Sequence, residues 1–568
     1  MVAKLRAEHS LILIPFVLAL WSISRVWTVL PSIMQDEYIY TSQAKNLPFA
    51  EQFYSNYLFS LVMGITNQCG TEFYTCTKTI NSFFFLSTVI LTLLIALRFL
   101  SFRWSVFAAS VTALSPVAIP VSYFMPEAMY FAMMTLTIWL TLVVSKRNAL
   151  WLWILPGLVL GGTALVKPHA IFMLPAFTVF AFIFVYKKFS SSWIKATLAS
   201  VSLVTGFMVS KLGLGFAFAG TAGLKFFGGY GSPVGAIAGA VSKPATTLAP
   251  DSTPGAEQGA APVVATGLEI FANVATTHLL AHTAVLLLLA GIPLILSIRI
   301  GYSVIKTKQP AGELSSFFIL IGLITISMIG VVALFEAYVT ASGDDHSDRL
   351  ILRYYEFLIP QFVVMGLLLP RFSDSKRLLR IIQGGVTVLA IMIFTIVYPI
   401  TFNKQYADSS TLPGVGDGQG VFIFLGIFVS CAVIFWIVNP ERGNVVIGRF
   451  IIPAVLILSL VMSQNKLIDI NGTPAYFDAA GWGTRSYLQD VPGERILVAG
   501  QTRTEVFTVK FWIDEANIRD LLVMEGSVLG EVQVAEVDYV VTLKNIDVAF
   551  EHELITEGEG YRLVKVVR

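Results

Sequence analysis

Long apolar runs separated by short polar segments constrain the fold of this chain more than any other feature. A helix that spans the hydrocarbon core of a membrane needs about 20 mostly apolar residues. About thirteen such runs occur, near residues 11–32, 80–98, 105–122, 128–144, 150–166, 170–186, 194–213, 278–297, 315–336, 355–370, 381–400, 420–438 and 448–464. The sequence therefore predicts an α-helical polytopic membrane protein whose transmembrane body covers residues 1–464.

Charged residues are scarce, which excludes several classes of protein. They make up 13% of the 568 residues, whereas soluble proteins average about 25%. The 38 Lys and Arg residues nearly balance the 36 Asp and Glu residues, so no basic field is present to attract nucleic acid. A soluble enzyme, a disordered scaffold and a nucleic-acid binder are excluded, and the lack of a Walker A pattern argues against an ATP-driven pump.

The basic residues in the short junctions predict the orientation in the membrane. Lys and Arg collect on the cytoplasmic side of polytopic proteins. With thirteen spans, the basic clusters all fall on one side: Lys4 and Arg6; Arg98 and Arg103; Lys146 and Arg147; Lys187, Lys188 and Lys195; Arg299, Lys306 and Lys308; Arg371, Lys376, Arg377 and Arg380; Arg442 and Arg449. We expect a multi-pass protein of the cell (plasma) membrane, with a cytoplasmic N-terminus and an extracytoplasmic C-terminal domain.

Most of the remaining chain is expected outside the membrane on the opposite side. Residues 33–79 form a first outer loop with interfacial helices, and 214–277 form a long outer loop with a linker near 243–264. Residues 465–568 read as a small α/β domain with strands near 495–500, 537–542 and 561–567. Cys69 and Cys76 lie in the first outer loop, where a disulfide and two free thiols are equally compatible with the sequence.

Two groups of charged residues follow the predicted outer ends of helices. Asp36 and Glu37, followed by Tyr38, come directly after the first span, where a carboxylate at a low-dielectric interface suits a general base. Glu127 follows Pro126 at the next outer turn, where it could simply complement a helix dipole. A solvated acidic pair is the alternative interpretation for Asp36 and Glu37.

Further along the chain, cations and aromatic residues collect at two more outer turns. Lys167 precedes His169, and a lysine on this side is either a phosphate contact or a side chain that snorkels to the interface. Arg349 and Arg353 are four residues apart, so on a helix both could clamp one phosphate, beside Tyr354. The alternative for this last group is a solvated ion-pair loop.

Candidate metal ligands occur in the same region. Asp344, Asp345 and Asp348, with His346 between them, could hold a divalent cation such as Mg²⁺, Mn²⁺ or Ca²⁺, although the EF-hand spacing is absent. His278 and His282 have metal-compatible spacing but are better explained by packing at the interface. We also expect Arg25 to pair with Glu336 near the outer leaflet.

The Asp36-Glu37 pair after the first span, the amphipathic first loop, the Pro126-Glu127 turn and the outer C-terminal domain together resemble a known superfamily. The chain is similar to the GT-C membrane glycosyltransferases, which include the protein O-mannosyltransferases, the aminoarabinose transferase of lipid A and the mycobacterial arabinofuranosyltransferases. The resemblance covers the architecture of most of the chain. The WWDYG run of oligosaccharyltransferases is absent, which favours transfer of single sugars.

The resemblance implies a polyprenyl-phosphate sugar donor and an acceptor hydroxyl from an envelope glycan, lipid or protein. Asp36 would be the general base, and Glu37 would support it or bind a cation. On physical grounds, positive charge stabilises a leaving phosphate, so the donor-phosphate candidates are Lys167, Arg349 and Arg353. The supporting or acceptor-binding candidates are Glu127, His169, His346, Tyr38 and Tyr354.

Three alternatives remain open at the level of sequence. A transporter or lipid-linked-sugar flippase would place its charges near the bilayer midplane, whereas most charges here lie at predicted helix ends. An O-antigen ligase or polymerase would not need the Asp-Glu pair. A receptor or assembly scaffold would use the C-terminal domain for binding.

Overall fold

The computed structural model describes residues 10–32, 34–189, 191–226, 267–307, 312–341, 348–372, 377–402, 408, 412 and 419–568. Within these ranges, ten helices are long and apolar enough to cross a membrane, and a bent pair, Phe102–Ala113 with Pro116–Ser122, forms an eleventh candidate. Two shorter apolar helices, Leu13–Arg25 and Leu150–Ala164, complete the set. Each of the predicted apolar runs coincides with one of these helices, so the polytopic helical fold class is confirmed.

The helices of the transmembrane body are numbered in chain order. They are α1 (Leu13–Arg25), α2 (Met34–Lys45), α3 (Tyr57–Met63), α4 (Phe73–Leu97), α5 (Phe102–Ala113), α6 (Glu127–Ser145), α7 (Ile154–Ala164), α8 (Leu174–Lys188), α9 (Trp193–Met208), α10 (Gly215–Ala219), α11 (Gly267–Lys306), α12 (Glu313–Ala341), α13 (Ile359–Leu368), α14 (Arg377–Thr401), α15 (Gln419–Val438), α16 (Pro440–Val446) and α17 (Ile452–Asn471). Short 3-10 segments join several of them, including Pro116–Ser122, Pro168–Met173 and Leu352–Leu358.

The boundaries of the outer segments differ from those expected from hydropathy alone. Much of the first outer loop is helical, and Cys69 and Cys76 form a disulfide within it. Helix α11 begins at Gly267, inside the predicted long loop, whereas the predicted linker at 243–264 lies outside the described residues. Helix α17 continues beyond residue 464 to Asn471, because its last polar turns are still hydrogen-bonded as helix.

Three of the predicted basic junctions meet at one end of the helix bundle. Arg98 pairs with Glu313 at 2.6 Å between Nη2 and Oε1, and Lys146 pairs with the same carboxylate at 2.9 Å. Lys188 donates to the backbone carbonyls of Ser145 and Arg147. Three of the basic clusters that the sequence assigned to one side therefore lie at the same end of the bundle.

Glycines allow α7 and α9 to pack with their backbones almost in contact. A Cβ placed on Gly157 would lie 2.1 Å from the carbonyl oxygen of Leu203, and one on Gly206 would lie 2.3 Å from that of Ile154. Small residues permit this close approach between membrane helices. The contact fixes α7, whose C-terminal end leads directly into Lys167.

The C-terminal domain is a small α/β unit, as the sequence predicted. Its helices are α18 (Tyr476–Leu488), α19 (Arg503–Ile513) and α20 (Glu531–Val534), and its strands are β1 (Ile496–Gly500), β2 (Arg519–Leu522), β3 (Val528–Leu529), β4 (Tyr539–Leu543), β5 (Asp547–Val548), β6 (His552–Gly558) and β7 (Tyr561–Val566). The main sheet has the order β2-β1-β4-β7-β6, with β1 parallel to β2 and β4, and β7 antiparallel to β4 and β6. The three strands predicted from sequence are its three central strands.

This domain rests on α2, the helix that carries Asp36 and Glu37. The hydroxyl of Tyr38 accepts a hydrogen bond from the backbone N–H of Ile518 at 3.1 Å and donates to the carbonyl of Glu515 at 3.2 Å. Lys45, at the other end of α2, forms a buried ion pair with Asp514. The C-terminal domain and the start of the predicted first outer loop are therefore one packed unit.

The Glu515 side chain at this contact predicts a pH-dependent stability. Burial, reinforced by the Asp514 carboxylate, raises the pKa of Glu515 from 4.5 to about 7. The folded chain therefore binds the proton more tightly than the unfolded chain, so the free energy of unfolding should fall as the pH rises from about 4.5 to about 7 and then level off. In Glu515→Gln, stability measured by thermal unfolding should fall less steeply between pH 4.5 and pH 7 than in wild type. Glu525→Gln, which changes an exposed position, should behave as wild type. The same dependence of stability on pH in all three proteins would contradict the assignment to Glu515.

Candidate functional site

Four separate segments of the chain enclose one polar cavity of about 160 Å³. A cavity of about 150 Å³ is large enough for benzene, so this one can hold a phosphate group or a sugar ring. Its walls are formed by Asp36, Tyr40, Tyr54, Met125, Glu127, Lys167, Phe335, Arg349, Ile351, Arg353 and Tyr354. Six of the candidates selected from the sequence therefore lie around one cavity, although they span more than 300 positions of the chain.

Asp36 and Arg353 form an ion pair at the cavity wall. Their Oδ2 and Nη2 atoms are 2.8 Å apart, and the Asp36 side chain is 36% exposed whereas that of Arg353 is 10% exposed. Asp36 lies in the first turn of α2, where the positive end of the helix dipole favours a carboxylate. The pair places a partly accessible carboxylate beside a nearly buried cation.

The described residues engage the guanidinium of Arg353 only in part. Its Nε and Nη1 atoms are buried and have no hydrogen-bond partner among the described residues. A buried charged donor without a partner is costly, and this one lines an open cavity. Its environment is therefore suited to an anionic ligand with several oxygen acceptors.

Glu127 and Lys167 form a second, deeper ion pair. The Oε1 and Nζ atoms are 2.5 Å apart, and both side chains are almost fully buried. Burial lowers the pKa of the Lys167 ammonium, while the Glu127 carboxylate acts in the opposite direction. The ammonium also lies 4.5 Å from the centre of the Tyr354 ring, which adds a cation–π contact.

His169 is buried behind this wall and does not line the cavity. Its ring centre is 4.4 Å from that of Tyr354 and 6.0 Å from that of Phe335, both of which do line it. The 3-10 segment Pro168–Met173 begins directly after Lys167, and His169 is its second residue. The supporting role that the sequence suggested for His169 stays a prediction.

Arg349 is held by an acid that the sequence reasoning missed. Its Nε and Nη2 atoms contact Asp408 Oδ2 and Oδ1 at 2.9 and 3.0 Å, a bidentate pair. The backbone carbonyl of Asp408 also accepts from the N–H groups of Leu352 and Arg353. The expectation that both arginines share one helix face is wrong, because Arg349 precedes the 3-10 segment Leu352–Leu358; they nevertheless line the same cavity.

Glu37 points away from the cavity, in contrast to its neighbour Asp36. Its Oε2 accepts from the backbone N–H of Ser32 at 2.6 Å, and its Oε1 accepts from that of Phe124 at 2.8 Å. The side chain is completely buried. Glu37 thus joins the start of α2 to the turn that precedes Glu127, which is a positioning role.

Tyr38 also lies outside the cavity, in the contact with the C-terminal domain. Its ring is buried against the Lys510 ammonium, 4.6 Å from the ring centre. Burial raises the pKa of its hydroxyl to about 12, so this group stays protonated at neutral pH. A role in acceptor binding would require the domain to move, whereas its observed contacts hold the domain in place.

The predicted divalent-cation ligands are only partly described. Asp344, Asp345 and His346 lie outside the described residues, and Asp348 is half-buried at the start of the following segment. A divalent cation at Asp344, Asp345 and Asp348 stays a prediction. The expected Arg25–Glu336 pair is wrong, because Arg25 donates to Asn465 at 2.5 Å and Glu336 faces His278 and His282.

Comparison of the sequence with protein-family models and with curated proteins finds no match. Among solved structures, ArnT from Cupriavidus metallidurans in the apo state is similar, with a TM-score of 0.44 and 12% identity over 97% of this chain and 98% of ArnT. The Archaeoglobus fulgidus oligosaccharyltransferase gives 0.40 in its apo form and 0.41 with a tethered acceptor peptide, at 10% and 11% identity over 93% and 94% of this chain and 69% of that protein. These similarities extend along nearly the whole length of this chain.

Proposed function

We propose that this protein is a membrane glycosyltransferase that moves a single sugar from a polyprenyl-phosphate donor to an acceptor hydroxyl on the extracytoplasmic side. The observation that carries the proposal is the cavity itself, where the unused donors of Arg353 lie beside the carboxylate of Asp36. A lipid-phosphate donor supplies its own leaving group. The protein then needs a base, cations for the phosphate and an apolar body that admits the lipid.

The donor phosphate would bind between the cations of the cavity. Three cations line it, Lys167, Arg349 and Arg353, against two acids, Asp36 and Glu127. The excess is one positive charge, and Arg349 is further balanced by Asp408. Arg353 is the cation best prepared for the phosphate, because two of its nitrogen atoms have no hydrogen-bond partner among the described residues.

Phosphate binding would also prepare the base. In the structure, Asp36 Oδ2 accepts a hydrogen bond from Arg353 Nη2 at 2.8 Å, so this carboxylate oxygen is already engaged. A phosphate that takes over this guanidinium would leave Asp36 free to accept the proton of the acceptor hydroxyl. The order of binding that follows is donor first and acceptor second.

The transfer step breaks one bond and forms another at the anomeric carbon. The acceptor oxygen attacks this carbon while its proton passes to Asp36, and the bond to the phosphate oxygen breaks on the opposite side, which inverts the configuration. Polyprenyl phosphate leaves with the bonding electrons, and the cations stabilise its developing charge. Asp36 then returns its proton to water.

Replacement of Arg353 by alanine tests this assignment. Hydrogen bonds to charged groups contribute about 1.5–3 kcal/mol, so apparent donor affinity should fall roughly 10- to 100-fold, whereas the KM for acceptor should change little. The measurement is release of polyprenyl phosphate by protein in nanodiscs, from labelled polyprenyl-phosphate pentose and hexose donors. Arg495→Ala in the soluble domain is the control.

Two outcomes would count against the proposal. Wild-type protein that releases no polyprenyl phosphate from any such donor would remove the glycosyltransferase assignment. Release by wild type with unchanged donor affinity in Arg353→Ala would keep the activity but remove the arginine from the phosphate site.

A further inference from the structure

A second cluster of ionisable side chains is buried away from the cavity. His278 and His282 lie one turn apart on α11, and Glu336 lies on the neighbouring helix α12. All three are fully buried, and none of them lines the cavity. One nitrogen of each histidine and one carboxylate oxygen lie within 4.8 Å of one another.

Both imidazoles converge on the same oxygen atom. His282 Nε2 is 2.9 Å from Glu336 Oε2, and His278 Nδ1 is in contact with that same oxygen. Residues four apart on a helix share a face, so both histidines project from α11 towards α12. Two imidazole nitrogens and one carboxylate oxygen within 4.8 Å of one another are the donor set of a transition-metal site.

The buried negative charge of Glu336 is the second argument for a cation at this cluster. Within the described part of the chain, its ion-pair partners are the two histidines. A carboxylate buried among apolar helices is costly without a compensating charge. A divalent cation on the three donor atoms would supply that charge with both imidazoles neutral, which is the form that binds metal.

We propose that His278 Nδ1, His282 Nε2 and Glu336 Oε2 bind a divalent transition metal, of which Zn²⁺ suits the donor set best. Zinc commonly takes four ligands at about 2.0–2.2 Å from nitrogen and oxygen donors. The observed side chains would need to separate by about 1 Å to admit the ion. Three protein ligands leave one coordination position open for water or another ligand.

The surroundings of the site resemble an outer ligand shell. The other carboxylate oxygen, Glu336 Oε1, accepts from the backbone N–H of Ile351 at 3.2 Å. The Tyr355 ring lies 5.2 Å from the His282 ring, and the Phe402 ring lies 5.5 Å from the His278 ring. The metal would thus join α11 and α12 to the segment that leads into the polar cavity, a positioning role that is separate from the sugar-transfer chemistry.

Metal content tests the proposal directly. Full-length protein in detergent is stripped with a chelator, loaded with Zn²⁺ and separated from free metal, and its zinc is measured by elemental mass spectrometry. We expect about one zinc ion per chain in wild type and in His552→Ala, which removes an exposed histidine of the soluble domain. Loss of an outer-shell partner weakens metal affinity about 10- to 100-fold, so His282→Ala and Glu336→Gln, which remove ligands, should weaken it at least tenfold.

Cobalt provides a readout that does not depend on the variants folding. Co²⁺ in a four-coordinate site with nitrogen ligands absorbs visible light more strongly than hydrated Co²⁺, and wild-type protein should show this absorption, with Zn²⁺ abolishing it. Wild type without bound zinc or this spectrum would overturn the proposal and leave a hydrogen-bonded His-Glu cluster. Folded His282→Ala that keeps wild-type zinc affinity would overturn it equally, whichever result the sugar-transfer assay gives.

Discussion

Asparagine in place of Asp36 is expected to lower the rate of sugar transfer by about 10²- to 10⁴-fold, the usual contribution of a general base. The amide has the size of the carboxylate, and its oxygen can still accept the hydrogen bond from Arg353. It cannot accept the proton of an acceptor hydroxyl at neutral pH. Donor affinity should therefore stay near that of wild type while the rate constant falls.

The measurement is transfer of labelled sugar from polyprenyl-phosphate donors by protein in nanodiscs, at saturating donor. The matched control is Glu51→Gln, which neutralises an exposed acid of the same outer loop. The Asp36 side chain is 36% exposed, so thermal unfolding of Asp36→Asn should resemble that of wild type. Near-normal transfer by this variant would exclude Asp36 as the base.

Glu37→Ala should mainly lower the stability of the protein, whereas Asp36→Asn should lower the transfer rate and leave stability near that of wild type. Removal of the carboxylate leaves the backbone N–H groups of Ser32 and Phe124 buried without their acceptors. Hydrogen bonds to a charged group contribute about 1.5–3 kcal/mol each, so the free energy of unfolding should fall by about 3–5 kcal/mol. Asp36→Asn, one residue away, is the internal reference for this measurement.

The free energies of unfolding of Glu37→Ala, Asp36→Asn and wild type are measured in mixed micelles as the share of denaturing detergent is increased. The yield of folded protein after purification is a second readout. A Glu37→Ala protein as stable as wild type but without transfer activity would contradict the positioning role. That result would return Glu37 to the catalytic or cation-binding role implied by the superfamily resemblance.

Features that repeat along the chain were predictable from the sequence. Each apolar run of about 20 residues has the composition of a span. The basic junctions at Arg98, Lys146 and Lys188 lie at one end of the bundle. The central strands of the C-terminal sheet were predicted because they are apolar. The edge strands β2 and β6 were missed, because their largely exposed residues give no such signal.

The sequence could not predict which side chains from distant segments of the chain contact one another. Asp36 and Glu37 are adjacent acids of similar chemistry, and only the rotation of α2 against Phe124 separates their environments. Asp408 lies in a polar segment without a distinguishing pattern, yet it holds Arg349 from 59 positions away. The same holds for Glu336, whose partners His278 and His282 lie on another helix.

Asp36, Glu37 and Tyr38 are consecutive residues of α2, and each faces a different part of the protein. An α-helix turns about 100° per residue, which directs Asp36 to the cavity, Glu37 to the core and Tyr38 to the soluble domain. One added or deleted residue in this turn would rotate all three side chains away from their partners at once. A single substitution in this stretch should therefore disturb one of these contacts, whereas a change of length should disturb all three at once. The register of α2 thus aligns the cavity, the helix bundle and the C-terminal domain with one another.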